Sequence, residues 1–221
     1  MGGPRIVACV GVVNQSGGGA LVVGSNSKVT RCIISGNKTY QTTGNISGGG
    51  VVVDDNGVLE NSLVTGNRSG NGAGVWVDYH GIVRNCVVVG NTAGGECGGI
   101  RAALDTTWGT VINCIARDNV GLSLEDPDDI RHNVVGLAGM FKNNCFPSAH
   151  GANCVVVDPR FKNASRGDSR ISGMSPCRDK GLYQTWMADA VDFFGNPRAR
   201  NGHVDIGYFQ TPPAGTTIFL W

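Results

Sequence analysis

A chain of 221 residues with 18 basic and 17 acidic side chains has a formal net charge of +1. That balance leaves no electrostatic footprint for nucleic acid or for an anionic membrane surface. Its 35 glycines are more than twice the usual share, but they follow no Gly-X-Y period, which excludes a collagen-like rod. No apolar run approaches the roughly 18 residues that a membrane-spanning helix needs.

The start, Met1-Gly-Gly-Pro-Arg, lacks the charged-then-apolar profile of a signal peptide. A repeat is already running at Ile6-Val7-Ala8-Cys9-Val10, so the chain reads as a piece of a longer protein. A second copy begins at Gly18-Gly19-Ala20-Leu21-Val22. Three fuller copies follow between Gly48 and Asn119. Each has a Gly-rich turn, an apolar run, a second turn and then Asn-Cys-x-Val-x-Gly-Asn, as in Asn85-Cys86-Val87-Val88-Val89-Gly90-Asn91. The Gly-Asn endings align Asn14, Asn37, Asn67, Asn91 and Asn119 in one column. Self-similarity at periods of about 20 to 50 residues is the signature of a stacked solenoid, with irregular insertions placed in turns.

Alternate side chains of a strand face opposite ways. In the first strand of each coil this turns Ala20/Val22, Val51/Val53, Val75/Val77 and Ile100/Ala102 inward. In the last strand the inward pairs are Cys32/Ile34, Ser62/Val64, Cys86/Val88 and Cys114/Ala116. A column of small side chains explains the cysteines here, since free Cys packs as a small hydrophobe. Asn61, Asn85 and Asn113, immediately before that column, are expected to stack as a hydrogen-bonded ladder. Cys145 and Cys154, nine residues apart, are the disulfide candidates, while Cys97 and Cys177 have no assignment. A zinc site is not expected, because no cysteines are spaced C-x₂-C and the histidines are scattered.

Residues 121–136 read as one more, degraded coil, and Gly139 to Cys154 as loop. The expected fold is all-β: a right-handed parallel β-helix of about five coils over residues 1–136. A loop-rich C-terminal cap, 137–221, packs on it to complete a single structural unit. The cap would cover the last open rung and the outward apolar column Ile33, Leu63, Val87 and Ile115.

From Asp158 the chain changes character. It runs Asp158-Pro159-Arg160-Phe161, Ser175-Pro176-Cys177-Arg178-Asp179-Lys180-Gly181, Gly195-Asn196-Pro197-Arg198 and Asn201-Gly202-His203-Val204-Asp205-Ile206-Gly207. This series resembles the C-terminal signature of bacterial "choice-of-anchor" right-handed β-helix proteins over roughly residues 158–208. It departs from that pattern where Tyr208-Phe209 replace the usual Ala-Tyr-Glu. The resemblance implies a β-helix in a secreted or surface-attached protein of polysaccharide-digesting bacteria. It implies activity far less.

The outward column of the first strand is Leu21, Val52, Trp76 and Arg101, with Asp54 and Asp78 two residues further along their coils. Coils about 4.8 Å apart would gather Trp76, Arg101, Asp54, Asp78 and Tyr79 into one patch, with Asp105 and Trp108 on the longer turn above. An aromatic face flanked by carboxylates and a guanidinium suits sugar recognition: the pyranose stacks on the ring and its hydroxyls bond the charged groups. The expected function is therefore non-catalytic polysaccharide binding by Trp76, Asp54, Asp78, Tyr79, Arg101 and Trp108. The module would be covalently linked to a secreted bacterial glycoside hydrolase. Xylan is the first polysaccharide to test, because modules of some gut-bacterial xylanases are similar to this chain. A lyase or glycosidase working through Asp54, Asp78 and Arg101 is the alternative, with calcium on the two aspartates as the one cofactor such chemistry would allow. A surface adhesin or spacer is the second alternative.

Overall fold

The computed structural model describes the backbone of residues 20–23 and all atoms of residues 27–39, 48–102, 109–126 and 129–213. The path of the chain is set by a single recurring bend. Arg31, Asn61, Asn85, Asn113, Asn143 and Asn153 all have φ between 49° and 56°. Asn enters this left-handed region more easily than other non-glycine residues. The carbonyls of Glu60, Arg84 and Ile112, just before their bends, accept the bend N–H of the neighbouring coil, and each has a second lone pair that the side chain just after the bend fills. Cys32 Sγ donates to the Thr30 carbonyl at 3.3 Å and Ser62 Oγ to the Glu60 carbonyl at 2.7 Å. Cys86 and Cys114 do the same to Arg84 and Ile112, at 3.2 and 3.3 Å. The column therefore needs a small side chain that can donate, which is why Ser62 serves among cysteines.

Between bends the chain forms short strands that pair in parallel with the coils above and below. The first coil contains β1 (Ala20–Val23), β2 (Lys28–Thr30) and β3 (Ile33–Ser35). The second contains β4 (Val51–Asp54), β5 (Val58–Glu60), β6 (Leu63–Thr65) and β7 (Arg68–Ser69). The third contains β8 (Val75–Val77), β9 (Ile82–Arg84), β10 (Val87–Val89) and β11 (Thr92–Ala93), and the fourth β12 (Ile100–Ala102), β13 (Thr110–Ile112), β14 (Ile115–Arg117) and β15 (Val120–Gly121). A fifth, incomplete coil adds β16 (Val134–Val135) and β17 (Phe141–Lys142). The strands stack as β1-β4-β8-β12-β16, β2-β5-β9-β13-β17, β3-β6-β10-β14 and β7-β11-β15. The result is a parallel β-solenoid of about four turns. The expected count of about five included the copy at Ile6–Val10, which lies outside the described residues.

The segment 139–154, expected as loop, continues the stack. Phe141–Lys142 pairs with β13, Cys145 bridges to Ile115, and Ala152 and Val155 bridge to Lys142 and Cys145. No helix among the described residues is long and apolar enough to cross a membrane.

The interior is the set of inward columns: Val51, Val53, Val75, Val77, Ile100 and Ala102 from one wall, with Ile34, Val64, Val88 and Ala116 from another, all buried. Towards the fifth coil the side chains enlarge to Met140, Phe141 and Phe146. The two phenylalanine rings meet edge to face at 5.8 Å and fill the end of the bore.

The continuous asparagine ladder lies in a different column from the expected one, where the only rung among Asn61, Asn85 and Asn113 is Asn113 Nδ2 to the Asn85 amide at 3.5 Å. Asn37 Nδ2 donates to Asn67 Oδ1 at 3.0 Å, Asn67 to Asn91 at 2.9 Å, Asn91 to Asn119 at 2.9 Å and Asn119 to Asn133 at 3.0 Å. All five are buried. Asn67, Asn91, Asn119 and Asn133 also each accept the backbone N–H of the asparagine before it in the ladder. The expected column, Asn61, Asn85 and Asn113, instead reaches outward to the C-terminal segment. Asn61 donates to the Val191 carbonyl at 3.2 Å and Asn113 to the Leu182 carbonyl at 2.9 Å. The Asn85 amide oxygen accepts from Arg198 Nε at 2.7 Å. The physical reason is the bend: a residue with positive φ projects its side chain away from the stacking axis, whereas the Gly-Asn position keeps its amide inside the turn.

The C-terminal segment opens with a hairpin, β18 (Phe161–Asn163) and β19 (Asp168–Ile171), and continues without regular strands. It lies along the flank of the solenoid. Leu63, Val87, Ile115 and Cys145 are buried beneath Ile171, Cys177, Phe193, Ile206, Tyr208 and Phe209, with Ile33 partly covered. Trp186 sits against the next face, where the Arg84 guanidinium lies 3.7 Å from its ring centroid.

Candidate functional site

The strand register brings the expected column together. Leu21 pairs with Val52, Val52 with Trp76, Trp76 with Arg101, and Arg101 with Val135. Beyond it the chain turns. Gly57 N–H donates to the Asp54 carbonyl at 2.8 Å, and Gly81 N–H to the Asp78 carbonyl at 2.7 Å. These two four-residue turns, Asp54-Asp55-Asn56-Gly57 and Asp78-Tyr79-His80-Gly81, lie on neighbouring coils, linked by Asn56 N–H to the Tyr79 carbonyl at 3.2 Å.

Trp76 does not present the open platform expected of it. The side chain is only 7% exposed. The Arg101 guanidinium covers it at 5.0 Å from the ring centroid, and Gly72 leaves so little room that an added Cβ would touch both side chains at 3.1 Å. Arg101 is also engaged by Glu96 at 3.8 Å, and Glu96 by Arg131 at 3.0 Å. Among the described residues nothing accepts a hydrogen bond from the buried Trp76 Nε1. Trp108 and Asp105 lie outside the described residues.

The exposed aromatic of the patch is Tyr79, 53% exposed. Its backbone, and that of its neighbour, is unusual. Both central residues of each turn have positive φ: 45° and 62° for Asp55 and Asn56, 28° and 63° for Tyr79 and His80. A turn of this kind favours Asn, Asp and Gly at its centre. Asp55-Asn56 satisfies that preference; in Tyr79-His80 it is the tyrosine that departs from it, since histidine enters the left-handed region several-fold more readily than most residues. The strain is therefore local to the coil that displays the aromatic ring and the imidazole. Sequence reading places Tyr79 in the patch by register, but misses its backbone, for which Asp-Tyr-His-Gly in place of Asp-Asp-Asn-Gly is the available signal.

The carboxylates of the patch are close enough to sense one another. Asp54 is held above the usual carboxylate range, first by burial, with the charges of Asp78 and Asp55 adding to it and the Asp55 backbone N–H opposing. Asp54 Oδ1 accepts that N–H at 2.7 Å, and Asp78 Oδ1 accepts Tyr79 N–H at 3.0 Å. No grouping of three or more His, Cys, Asp or Glu that could hold a metal ion occurs among the described residues.

Two further concavities flank the C-terminal hairpin. One, of about 220 Å³, is lined by Arg117, Asp118, Asp158, Arg160 and Phe161. The other, of about 210 Å³, shares Asp118 and Phe161 and runs along Leu63, Thr65 and Val89. Neither was legible in the sequence, because each depends on where the hairpin docks.

Comparison of the chain with protein-family models, with curated proteins and with solved structures finds no match.

Proposed function

We propose that this protein is a non-catalytic polysaccharide-binding module, exported by a bacterium and covalently linked to a glycoside hydrolase. The observation that carries the reading is the Asp78-Tyr79-His80-Gly81 turn. A tyrosine ring stands exposed on a backbone that a tyrosine would not choose, beside three aspartates and an imidazole. Residues kept in such conformations cluster at ligand-binding positions, since the fold must bear about 1–3 kcal/mol for each. The ring offers an apolar face to a pyranose, and Asp55, Asp78 and His80 offer hydrogen bonds to its hydroxyls.

The resemblance of the C-terminal series to that of secreted bacterial β-helix proteins supports the compartment, and in the fold its residues hold the segment together. Ser175 Oγ bonds the Pro159 carbonyl at 2.5 Å, Asp179 N–H bonds Asp205 at 2.8 Å, and Arg198 bridges Asn85 of the solenoid to the Asp205 carbonyl. Xylan is the first polysaccharide to test.

Affinity gel electrophoresis against a panel of soluble plant polysaccharides tests the proposal. Retardation of the wild type that is lost in Tyr79→Ala supports it. Release of unsaturated or reducing ends that depends on Asp78 would replace it with an enzyme. Absence of both on every glycan would leave the solenoid as a spacer.

A further inference from the structure

We propose that Cys145 and Cys177 form a disulfide that fastens the C-terminal segment to the fifth coil. Cys145 and Cys154 occupy opposite faces of the fifth coil. Cys145 bridges to Ile115 and so extends the outward column Ile33, Leu63, Val87, Ile115. Cys154 precedes Val155, which bridges to Cys145, so Cys154 stacks on Asn144 in the inward column. Adjacent strand positions point to opposite faces. Packing agrees: Cys154 lies against the interior cluster, whereas Cys145 belongs to the cluster beneath the C-terminal segment. The pair nine residues apart that the sequence favours for a bridge is therefore divided by its own backbone.

Cys177 faces Cys145 across that second cluster. Both are fully buried in it. Their backbones are held independently on the two sides of the contact. Cys145 N–H donates to the Cys114 carbonyl at 2.8 Å and its carbonyl accepts from Ala116 at 3.1 Å. Cys177 N–H donates to Ser175 Oγ at 3.1 Å and its carbonyl accepts from Ile206 at 3.0 Å. The two thiols act on each other, which draws the Cys145 thiol below its usual range and Cys177 above it, with the Arg117 charge helping to lower Cys145; Cys145 Sγ also donates to the Val157 carbonyl at 3.5 Å.

The chemistry needs a two-electron oxidant, and a glutathione-type disulfide suffices. As the C-terminal segment docks, the Cys145 thiolate attacks one sulfur of oxidised glutathione, forming a mixed disulfide and releasing one glutathione thiolate, which takes a proton. Cys177, losing its proton, then attacks Cys145 Sγ and releases the second glutathione. Two protein thiols and one oxidised glutathione become one protein disulfide and two reduced glutathiones. Cys32, Cys86 and Cys114 belong to the interior cluster, on the face of the coils turned away from the C-terminal segment.

The test refolds the full chain in a glutathione redox buffer, alkylates free thiols and digests with trypsin without reduction. Residues 143–160 and 171–178 form two tryptic peptides, and the first contains both Cys145 and Cys154. A cross-link between these peptides, with six of the eight cysteines alkylated, is the expected result. It persists in Cys154→Ala and disappears in Cys177→Ala. Reduction lowers the melting temperature by roughly 5–10 °C, the shift expected for a loop of this length in a chain of this size. Alkylation of all eight cysteines, a bridge between Cys145 and Cys154, or a link confined to Cys86 and Cys114 would overturn the proposal.

Discussion

Tyr79 and His80 sit where the neighbouring coil places Asp55 and Asn56, and the two coils share the same turn hydrogen bond. Replacing Tyr79 by Asn should therefore relax the backbone while removing the ring. The expected outcome is a gain of about 1 kcal/mol in urea unfolding. Asp54 makes a second prediction. Its folded-state pKa is raised, so the folded chain holds this proton more tightly than the unfolded chain. Above that pKa the carboxylate disfavours the fold, and the penalty fades as pH falls through the carboxylate range. Asp54→Asn should be more stable than wild type at pH 7 and equal to it below about pH 4, in thermal melts across that interval. The grouping of Trp76, Arg101, Asp54, Asp78 and Tyr79 was legible in the sequence, because register alone determines it. The exposure of each was not. Trp76 is covered by Arg101, whose guanidinium could equally have reached solvent, and alternation of side chains says nothing about that choice.

At the scale of the coil, stability is carried by columns. Asn91 shows the pattern: its Nδ2 donates to Asn119, Val64 and Val89, and its Oδ1 accepts from both Asn67 N–H and Asn67 Nδ2. Asn91→Ala leaves several buried groups without partners, each costing about 1–3 kcal/mol. The expected loss is on the order of 3 kcal/mol in chemical denaturation. The sequence displays two asparagine columns and cannot say by repetition alone which one stacks. The backbone decides: at the positive-φ bend the amide leaves the axis and is used to hold the C-terminal segment. The inward cysteines were legible as small core residues. Their second role, donating to the carbonyl just before the bend, depends on a backbone angle that the sequence does not display.

For the whole molecule, the solenoid and the C-terminal segment are joined through an apolar face and one buried charge. Arg198 is fully buried, with its guanidinium pushed down to about 10 by burial while the nearby Asp192 and Asp205 charges oppose the shift. It bonds Asn85 on the solenoid and the Asp205 carbonyl beneath it. Arg198→Ala removes the counter-charge from two buried carboxylates, a change that costs about 3–5 kcal/mol in comparable settings. Loosening of the segment should expose Leu63, Val87 and Ile115, read as increased binding of a hydrophobic dye. The fold class was legible from the repeat. The docking of the C-terminal segment followed only in outline, from an outward column too apolar to face water.

The central claim is that the Asp78-Tyr79-His80-Gly81 turn recognises polysaccharide and that its strain is the cost of doing so. Calorimetric titration with soluble xylan and the other plant polysaccharides of the panel, on wild type and Tyr79→Asn, tests it directly. Wild type should give saturable heat on at least one glycan, and a Tyr79→Asn variant that is folded and at least as stable should give none. Equal binding by the two proteins, or no binding by wild type to any of them, would contradict it.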